Sequence, residues 1–201
     1  GYLKDRLQAK DKFVRNTEII QKELARNPDN PFLLYSLGLE YYQQDSIAEG
    51  LGHLNEALGR MSGNEGYFED VLLNIALGYL RLEEMTPLMD FINKALTMYP
   101  NQSEFLFLRG TAYLSQADYG KAVEDFKYLL EIFETRTKEV HLDPAKTLAD
   151  QYLLLALKEI HLSILALEQN MKSLSFNPQK IIDHALKEAF LFFATERSCK
   201  L

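Results

Sequence analysis

The residue types that usually carry chemistry are few and scattered along this chain. The four histidines stand at positions 53, 141, 161 and 184, and no two of them are four residues apart. A zinc site needs several histidine or cysteine ligands at short spacings, and neither an HExxH pair nor a cysteine–histidine set occurs. A P-loop and a GxGxxG motif are also missing. We therefore expect a non-catalytic chain that holds no metal and no cofactor.

The other reactive groups have ordinary structural explanations. Cys199 is the single cysteine, so no disulfide can form within the chain, and we expect a reducing, cytoplasmic location. No signal peptide is recognisable. The most apolar segment, residues 152–167, is interrupted by charged side chains, which indicates a buried helix and not a membrane span.

The charge of the chain excludes one class of partner. A formal net charge of −7 over 201 residues argues against a general nucleic-acid binder. Residues 1–26 differ from the rest, because they hold seven Lys or Arg against four acidic residues. We expect a solvated helix face there, and contact with a membrane or an anionic partner is the alternative.

The elements that position these residues follow a repeated pattern. It is clearest at Gly110, Tyr113, Ala122 and Phe126, recurs in register earlier in the chain, and recurs once more after an insertion of four residues. The earlier sets are Ala76, Tyr79, Leu88, Ile92, Ala95 and Pro100, and then Gly38, Tyr41, Gly50, Leu54 and Ala57. The pattern resembles the tetratricopeptide repeat, a helix–turn–helix of about 34 residues.

This resemblance implies an all-α fold, a superhelix of about three repeats with a flanking N-terminal helix and a C-terminal helical pair. No strand is expected, because no run of alternating β-branched residues occurs. The predicted divisions are a linker or capping helix over 1–30, three repeats over 31–136 (31–64, 69–102 and 103–136), and a degenerate repeat or cap over 137–201.

Local signals set several helix ends. An apolar stripe predicts the first helix over 3–26, and Asn30 with Pro31 is expected to cap the next one. Gly38 in mid-helix indicates that two helices approach closely there. After the repeats, the predicted elements are a loop over 137–144, a helix over about 146–172 that is apolar on more than one face, and a last helix that starts at Asn177-Pro178.

By the same resemblance, the first helix of each hairpin lines a concave face. We expect an apolar and aromatic groove that binds a protein or peptide as a helix or an extended segment. Its expected contact residues are Phe32, Tyr35, Leu39, Tyr42, Leu73, Asn74, Leu77, Arg81, Phe107, Thr111 and Leu114. The alternative is that the chain's own last helices fill the groove. Leu73 and Phe107 would then be protected from solvent without any partner.

One branch of that family grips a C-terminal carboxylate with Lys, Asn and Arg on the concave face. Asn74 stands where such a clamp needs it, but Tyr35 and Leu39 occupy the positions that require Lys and Asn. The face also carries no Lys. The sequence therefore argues against a carboxylate clamp.

The opening segment resembles the junction that follows the catalytic domain in bacterial family 2 glycosyltransferases with C-terminal tetratricopeptide repeats. The residues that carry this match are Gly1, Tyr2, Lys10, Lys12, Arg15 and Asn16. The resemblance implies a non-catalytic C-terminal module of a nucleotide-sugar-dependent transferase, with the catalytic residues upstream of Gly1 and with repeats that hold an acceptor protein.

Two alternatives stay open at this point. The aromatic run Phe190–Phe193 is more apolar surface than a cap facing water needs, so either the penultimate helix covers it or a second molecule does, as in a homodimer. The chain could equally be a free-standing adaptor for an unknown protein partner.

Overall fold

The computed structural model is all-α and of the tetratricopeptide type. It describes the backbone of residues 2–139, 154–165, 180 and 182–187, and the side chains of residues 11–135, 154–165, 180 and 182–187. No strand occurs among these residues. None of their helices is both long enough and apolar enough to cross a membrane.

The helices follow one another with short connections. In chain order they are α1 (Tyr2–Arg26), α2 (Pro31–Gln43), α3 (Ile47–Arg60), α4 (Phe68–Arg81), α5 (Met85–Met98), α6 (Ser103–Ser115) and α7 (Tyr119–Glu139). Residues 154–165 and 182–187 are also helical.

The chain divides into two compact units, and the boundary falls inside α5. We call them the N-terminal unit (Gly1–Phe91) and the C-terminal unit (Ile92–Leu201). In the N-terminal unit α1 packs on α2, α2 on α3, and α3 on α4. In the C-terminal unit α6 packs on α7. The predicted divisions at 30, 64, 102 and 136 stay predictions.

The start of α2 matches the expectation from its sequence. The side chain of Asn30 accepts hydrogen bonds from the backbone N–H groups of Phe32 and Leu33, and Pro31 occupies the first helical position. This cap satisfies donors that have no partner within the helix. Towards the other end of α2, the Asn16 side chain donates to Glu40 at 2.8 Å and ties α1 to α2.

The turns inside the hairpins have the same geometry three times in the described chain. Asp45, Glu83 and Ala117 adopt positive φ angles of 62°, 58° and 57°. The following N–H group donates to a tyrosine carbonyl each time. These bonds run from Ser46 to Tyr41 at 3.1 Å, from Glu84 to Tyr79 at 2.9 Å and from Asp118 to Tyr113 at 2.9 Å. Each hairpin therefore has one residue in the left-handed conformation between its two helices, and this residue stands at the same position of the repeated pattern each time.

Glycine closes the first hairpin, as its place in mid-helix predicted. A Cβ atom at Gly38 would lie 2.8 Å from Cγ of Leu54 and 2.9 Å from the carbonyl oxygen of Gly50. Leu54 is fully buried. Only a residue without a side chain lets α2 and α3 come this close.

Two predictions beyond the repeats need correction. The loop predicted over 137–144 is wrong at residues 137–139, because α7 continues to Glu139. The apolar segment 152–167 was expected to form a buried helix, but in its described part, 154–165, Leu155 and Leu162 are 56% and 65% exposed. These two residues are seven positions apart and so share one face of the helix. The rest of the predicted loop, the aromatic run Phe190–Phe193 and Cys199 lie outside the described residues.

Candidate protein-binding face

An aromatic cluster stands where α2 and α4 begin in the N-terminal unit. The rings of Tyr35 and Tyr67 are stacked, with centroids 5.5 Å apart and an angle of 18° between planes. Phe32 meets Tyr67 edge-on at 5.3 Å. Phe32 is 50% exposed, whereas Tyr35 is only 7% exposed. The cluster therefore leaves the Phe32 ring half exposed and packed against two tyrosine rings, an arrangement suited to contact with a partner.

Tyr67 was not among the predicted contact residues. It precedes the first residue of α4 and so falls outside the helical positions from which the face was predicted. The sequence signal that could have identified Tyr67 is its aromatic type at the start of α4. The start of α2 carries another aromatic residue, Phe32, which Tyr67 contacts.

Tyr42 fills a slot between two glycines. A Cβ atom at Gly50 would lie 2.4 Å from the Tyr42 ring, and one at Gly78 would lie 2.0 Å from its hydroxyl. That hydroxyl donates to the backbone carbonyl of Asn74 at 3.0 Å. Burial raises the pKa of the Tyr42 hydroxyl well above its usual range, so it stays protonated as a donor. Tyr42 therefore joins α2, α3 and α4 in addition to any contact with a ligand.

Four more predicted residues belong to α2 and α4 of the same unit. Leu39 is half-buried against the core formed by α2, α3 and α4, and Leu77 is also half-buried. The Asn74 side chain donates to the carbonyl of Asp70, one turn earlier, at 2.8 Å. Leu73 is 4% exposed and lies in the core.

Arg81 occupies the last position of α4 and is already paired. Its Nη2 atom lies 2.6 Å from Oδ1 of Asp45, the left-handed residue of the first turn. Its guanidinium also lies 5.7 Å from the centre of the Tyr42 ring. A positive charge near a helix C-terminus is favourable in itself. The one arginine of the predicted face is thus neutralised by the protein's own carboxylate.

The predicted contact residues of the C-terminal unit behave differently. Phe107 is 1% exposed and meets the Phe126 ring of α7 edge-on at 5.9 Å. The Thr111 hydroxyl donates to the carbonyl of Phe107, and Leu114 is half-buried. The protection of Leu73 and Phe107 is what a filled groove was expected to show. For Phe107, however, the contact with Phe126 comes from the second helix of its own hairpin.

An ion pair replaces apolar packing inside the third hairpin. Two nitrogens of Arg109 donate to the two carboxylate oxygens of Asp125, at 2.9 and 2.6 Å, and a third donates to the Asn93 side chain at 3.1 Å. Asp125 is 5% exposed. Hydrogen bonding to Asp125 raises the pKa of the Arg109 guanidinium further, so the charge is permanent. Arg109 stands where the earlier repeats hold Leu37 and Ile75, and nothing in the sequence pattern identifies Asp125 as its partner.

The histidines of the described chain have separate structural surroundings. The His53 ring packs 5.2 Å from the Tyr41 ring. His161 is half-buried with its Nδ1 atom unpaired, and burial lowers its pKa. Within the described residues no group of three or more His, Cys, Asp or Glu side chains is arranged to hold a metal. His141 lies outside those residues.

Comparisons with known proteins agree with this architecture. No family model matches the chain. Human sperm-associated antigen 1 is 30% identical over 112 residues, which is 54% of this chain and 12% of that protein. The FKBP4 peptidyl-prolyl cis-trans isomerases of mouse and rat are each 34% identical over 61 residues, 30% of this chain and 13% of theirs. These relatives contain tetratricopeptide repeats, which together with the all-helical fold supports a tetratricopeptide-repeat protein.

Proposed function

We propose that this chain is a non-catalytic scaffold that binds a segment of another protein on the α2–α4 face of its N-terminal unit. The observation that carries the proposal is the Phe32 ring, half exposed on a cluster of tyrosines. Large apolar side chains on a soluble surface favour contact with a partner when they are grouped around an aromatic anchor. The half-buried Leu39 and Leu77 add apolar side chains to the predicted face. The Asn74 carboxamide donates one hydrogen bond to Asp70, and its remaining polar atoms would serve a peptide backbone.

The chain spans only about an eighth of the curated relatives that it matches. Similarity over such a part supports a shared repeat and a scaffold role. It does not transfer the isomerase activity named for FKBP4, and it does not identify a partner.

A double variant tests the face directly. Tyr35→Ala is unsuitable for this test, because Tyr35 is 7% exposed and its loss would damage the core. Phe32→Ala with Leu77→Ala removes exposed and half-exposed groups instead. Peptides are first selected from a random library on the unaltered protein, and their affinities are then measured by calorimetry. We expect the double variant to lose about tenfold or more in affinity, as when a buried interface anchor is truncated.

Ile19→Ala is the matched control, because Ile19 is 55% exposed on α1 and lies outside the predicted face. It should bind the selected peptides like the unaltered protein. Equal binding by the Phe32→Ala/Leu77→Ala variant, with its helical signal intact, would rule out this face.

The finer assignments are predictions that rest on the sequence. A cytoplasmic module of a bacterial family 2 glycosyltransferase is supported by the opening residues, of which Asn16 also has a structural use in its bond to Glu40. The coding sequence upstream of Gly1 tests this, because it should contain an acidic metal-binding motif in an α/β domain. Dimerisation through Phe190–Phe193 is tested by light scattering over a range of protein concentrations.

A further inference from the structure

The pair between Asp45 and Arg81 links two hairpins of the N-terminal unit. Asp45 stands in the turn between α2 and α3, and Arg81 ends α4. The two charged atoms are 2.6 Å apart, yet both side chains remain accessible, at 42% for Arg81 and 88% for Asp45. A pair so exposed adds little to stability, so its larger effect is on the charge that a ligand meets.

Arg81 does not depend on Asp45 alone for its position. Its guanidinium lies within cation–π distance of the Tyr42 ring. Tyr42 is itself fixed by its slot between Gly50 and Gly78 and by its hydrogen bond to the Asn74 carbonyl. Removal of the carboxylate would therefore leave a cation at nearly the same place, beside the predicted contact residues Asn74 and Leu77.

The matching positions elsewhere in the pattern cannot form such a pair. Glu83 occupies the same left-handed turn position in the second hairpin that Asp45 occupies in the first. The residue that matches Arg81 in the third hairpin is Ser115, the last residue of α6, which carries no charge. Among the repeats of the pattern, only the turn of the first hairpin supplies a carboxylate, that of Asp45, to neutralise a cation on the following helix, that of Arg81.

We propose that Asp45 determines the ligand specificity of the α2–α4 face. By neutralising Arg81, it makes the face select an uncharged apolar segment, and without it the face would prefer a segment that carries acidic side chains. This inference rests on the proposed function, since it concerns the charge of the segment that binds there. The argument is one of charge complementarity between a fixed guanidinium and a carboxylate ligand.

The test is Asp45→Asn, which removes the charge and keeps a residue type that tolerates positive φ. The probes are one uncharged peptide selected by the unaltered protein and the same peptide with two positions changed to Glu. We expect Asp45→Asn to bind the Glu-containing peptide about three- to fivefold more tightly than the unaltered protein does at low salt. The gain should shrink at about 0.5 M salt, where exposed charges are screened. Affinity for the uncharged peptide should not change.

Asp90→Asn is the matched control, because it removes the same charge at an exposed position of the same unit. It should show no gain, and Asp45→Asn with Arg81→Gln should lose the gain. An equal gain in Asp90→Asn, or a gain that survives Arg81→Gln, would overturn the inference in favour of a general charge effect. If the unaltered protein binds the uncharged peptide and Asp45→Asn gains nothing, the specificity role fails alone. If no peptide binds the unaltered protein, the proposed function fails with it.

Discussion

Two arginine–aspartate pairs, one in each unit, have the same shortest bond and different surroundings. Arg81 and Asp45 lie 2.6 Å apart in the N-terminal unit, with side chains 42% and 88% exposed. Arg109 and Asp125 also lie 2.6 Å apart in the C-terminal unit, but their side chains are 24% and 7% exposed. Water screens the charges of the exposed pair strongly and those of the buried pair only weakly. The bond length alone therefore does not show how much either pair contributes to stability.

The buried pair replaces a whole packing arrangement. In the first two hairpins, the positions that match Arg109 hold Leu37 and Ile75, which are 2% and 0% exposed. The positions that match Asp125 hold rings, His53 against Tyr41 and Phe91 against Tyr79. In the third hairpin both positions differ at once: arginine replaces the apolar residue and aspartate replaces the ring. The exchange keeps the site filled, because the two charges satisfy each other where a single one would be unpaired.

The largest effect should follow from removal of one buried partner. Asp125→Ala leaves the Arg109 guanidinium half-buried and without its carboxylate, and we expect the free energy of unfolding to fall by about 3 kcal/mol. Asp45→Asn breaks the exposed pair and should cost less than about 1 kcal/mol. Urea denaturation followed by circular dichroism measures both values.

A double variant separates the pair from the space that it fills. Arg109→Ile with Asp125→Phe restores the residue types of the second hairpin, and the net change should stay within about 1.5 kcal/mol of zero. If Asp125→Ala proved no more costly than Asp45→Asn, burial would not be what distinguishes the two pairs.

A smaller effect should come from the glycines that close the first hairpin. Gly50→Ala would bring a Cβ atom 2.4 Å from the Tyr42 ring and 2.8 Å from the carbonyl oxygen of Gly38, a backbone atom that cannot move away cheaply. We expect a loss of about 2 kcal/mol in the free energy of unfolding, as in other overpacked cores. Gly52→Ala, in the same helix, meets nothing within 4 Å and should stabilise by up to about 1 kcal/mol through helix propensity. A similar loss in both variants would mean that helix geometry and not Tyr42 sets the cost.

Much of the fold could be predicted because its signals are local. Asn30 and Pro31 define the start of α2 within three residues, and Gly38 can be recognised as a contact because glycine is otherwise unfavourable in mid-helix. The four-residue insertion between the first two repeats also shows in the spacing between the turn residues along the chain. The step from Asp45 to Glu83 is longer by that insertion than the step from Glu83 to Ala117.

The candidate site was harder to predict, because its properties depend on depth and on distant partners. The repeat position gives the direction of Tyr35, Leu73 and Phe107 but not their burial, which is set by residues such as Tyr67 and Phe126. Arg81 could be placed on the face from its position alone. That Asp45, 36 residues earlier, neutralises it could not be inferred from the pattern.

The smallest effect concerns a type of turn that occurs in each unit. Ala117 in the C-terminal unit has a φ angle of 57°, close to the 62° of Asp45 in the N-terminal unit. Both residues carry a Cβ atom that crowds the following carbonyl oxygen, but aspartate tolerates this left-handed conformation better because its short polar side chain can form local hydrogen bonds. Ala117→Gly relieves that strain but also adds freedom to the unfolded chain, so we expect a net gain of about 0.5 kcal/mol. Thermal unfolding should show a rise in Tm of a few degrees at most.

Ala48 provides the control for this turn, because it is an exposed alanine in the first turn of α3. Ala48→Gly should destabilise by about 1 kcal/mol, since glycine is a poor helix former and no strain is relieved there. A loss of stability in Ala117→Gly comparable to that in Ala48→Gly would mean that the turn carries no strain. The contrast between the two units would then rest on their ion pairs and not on their turns.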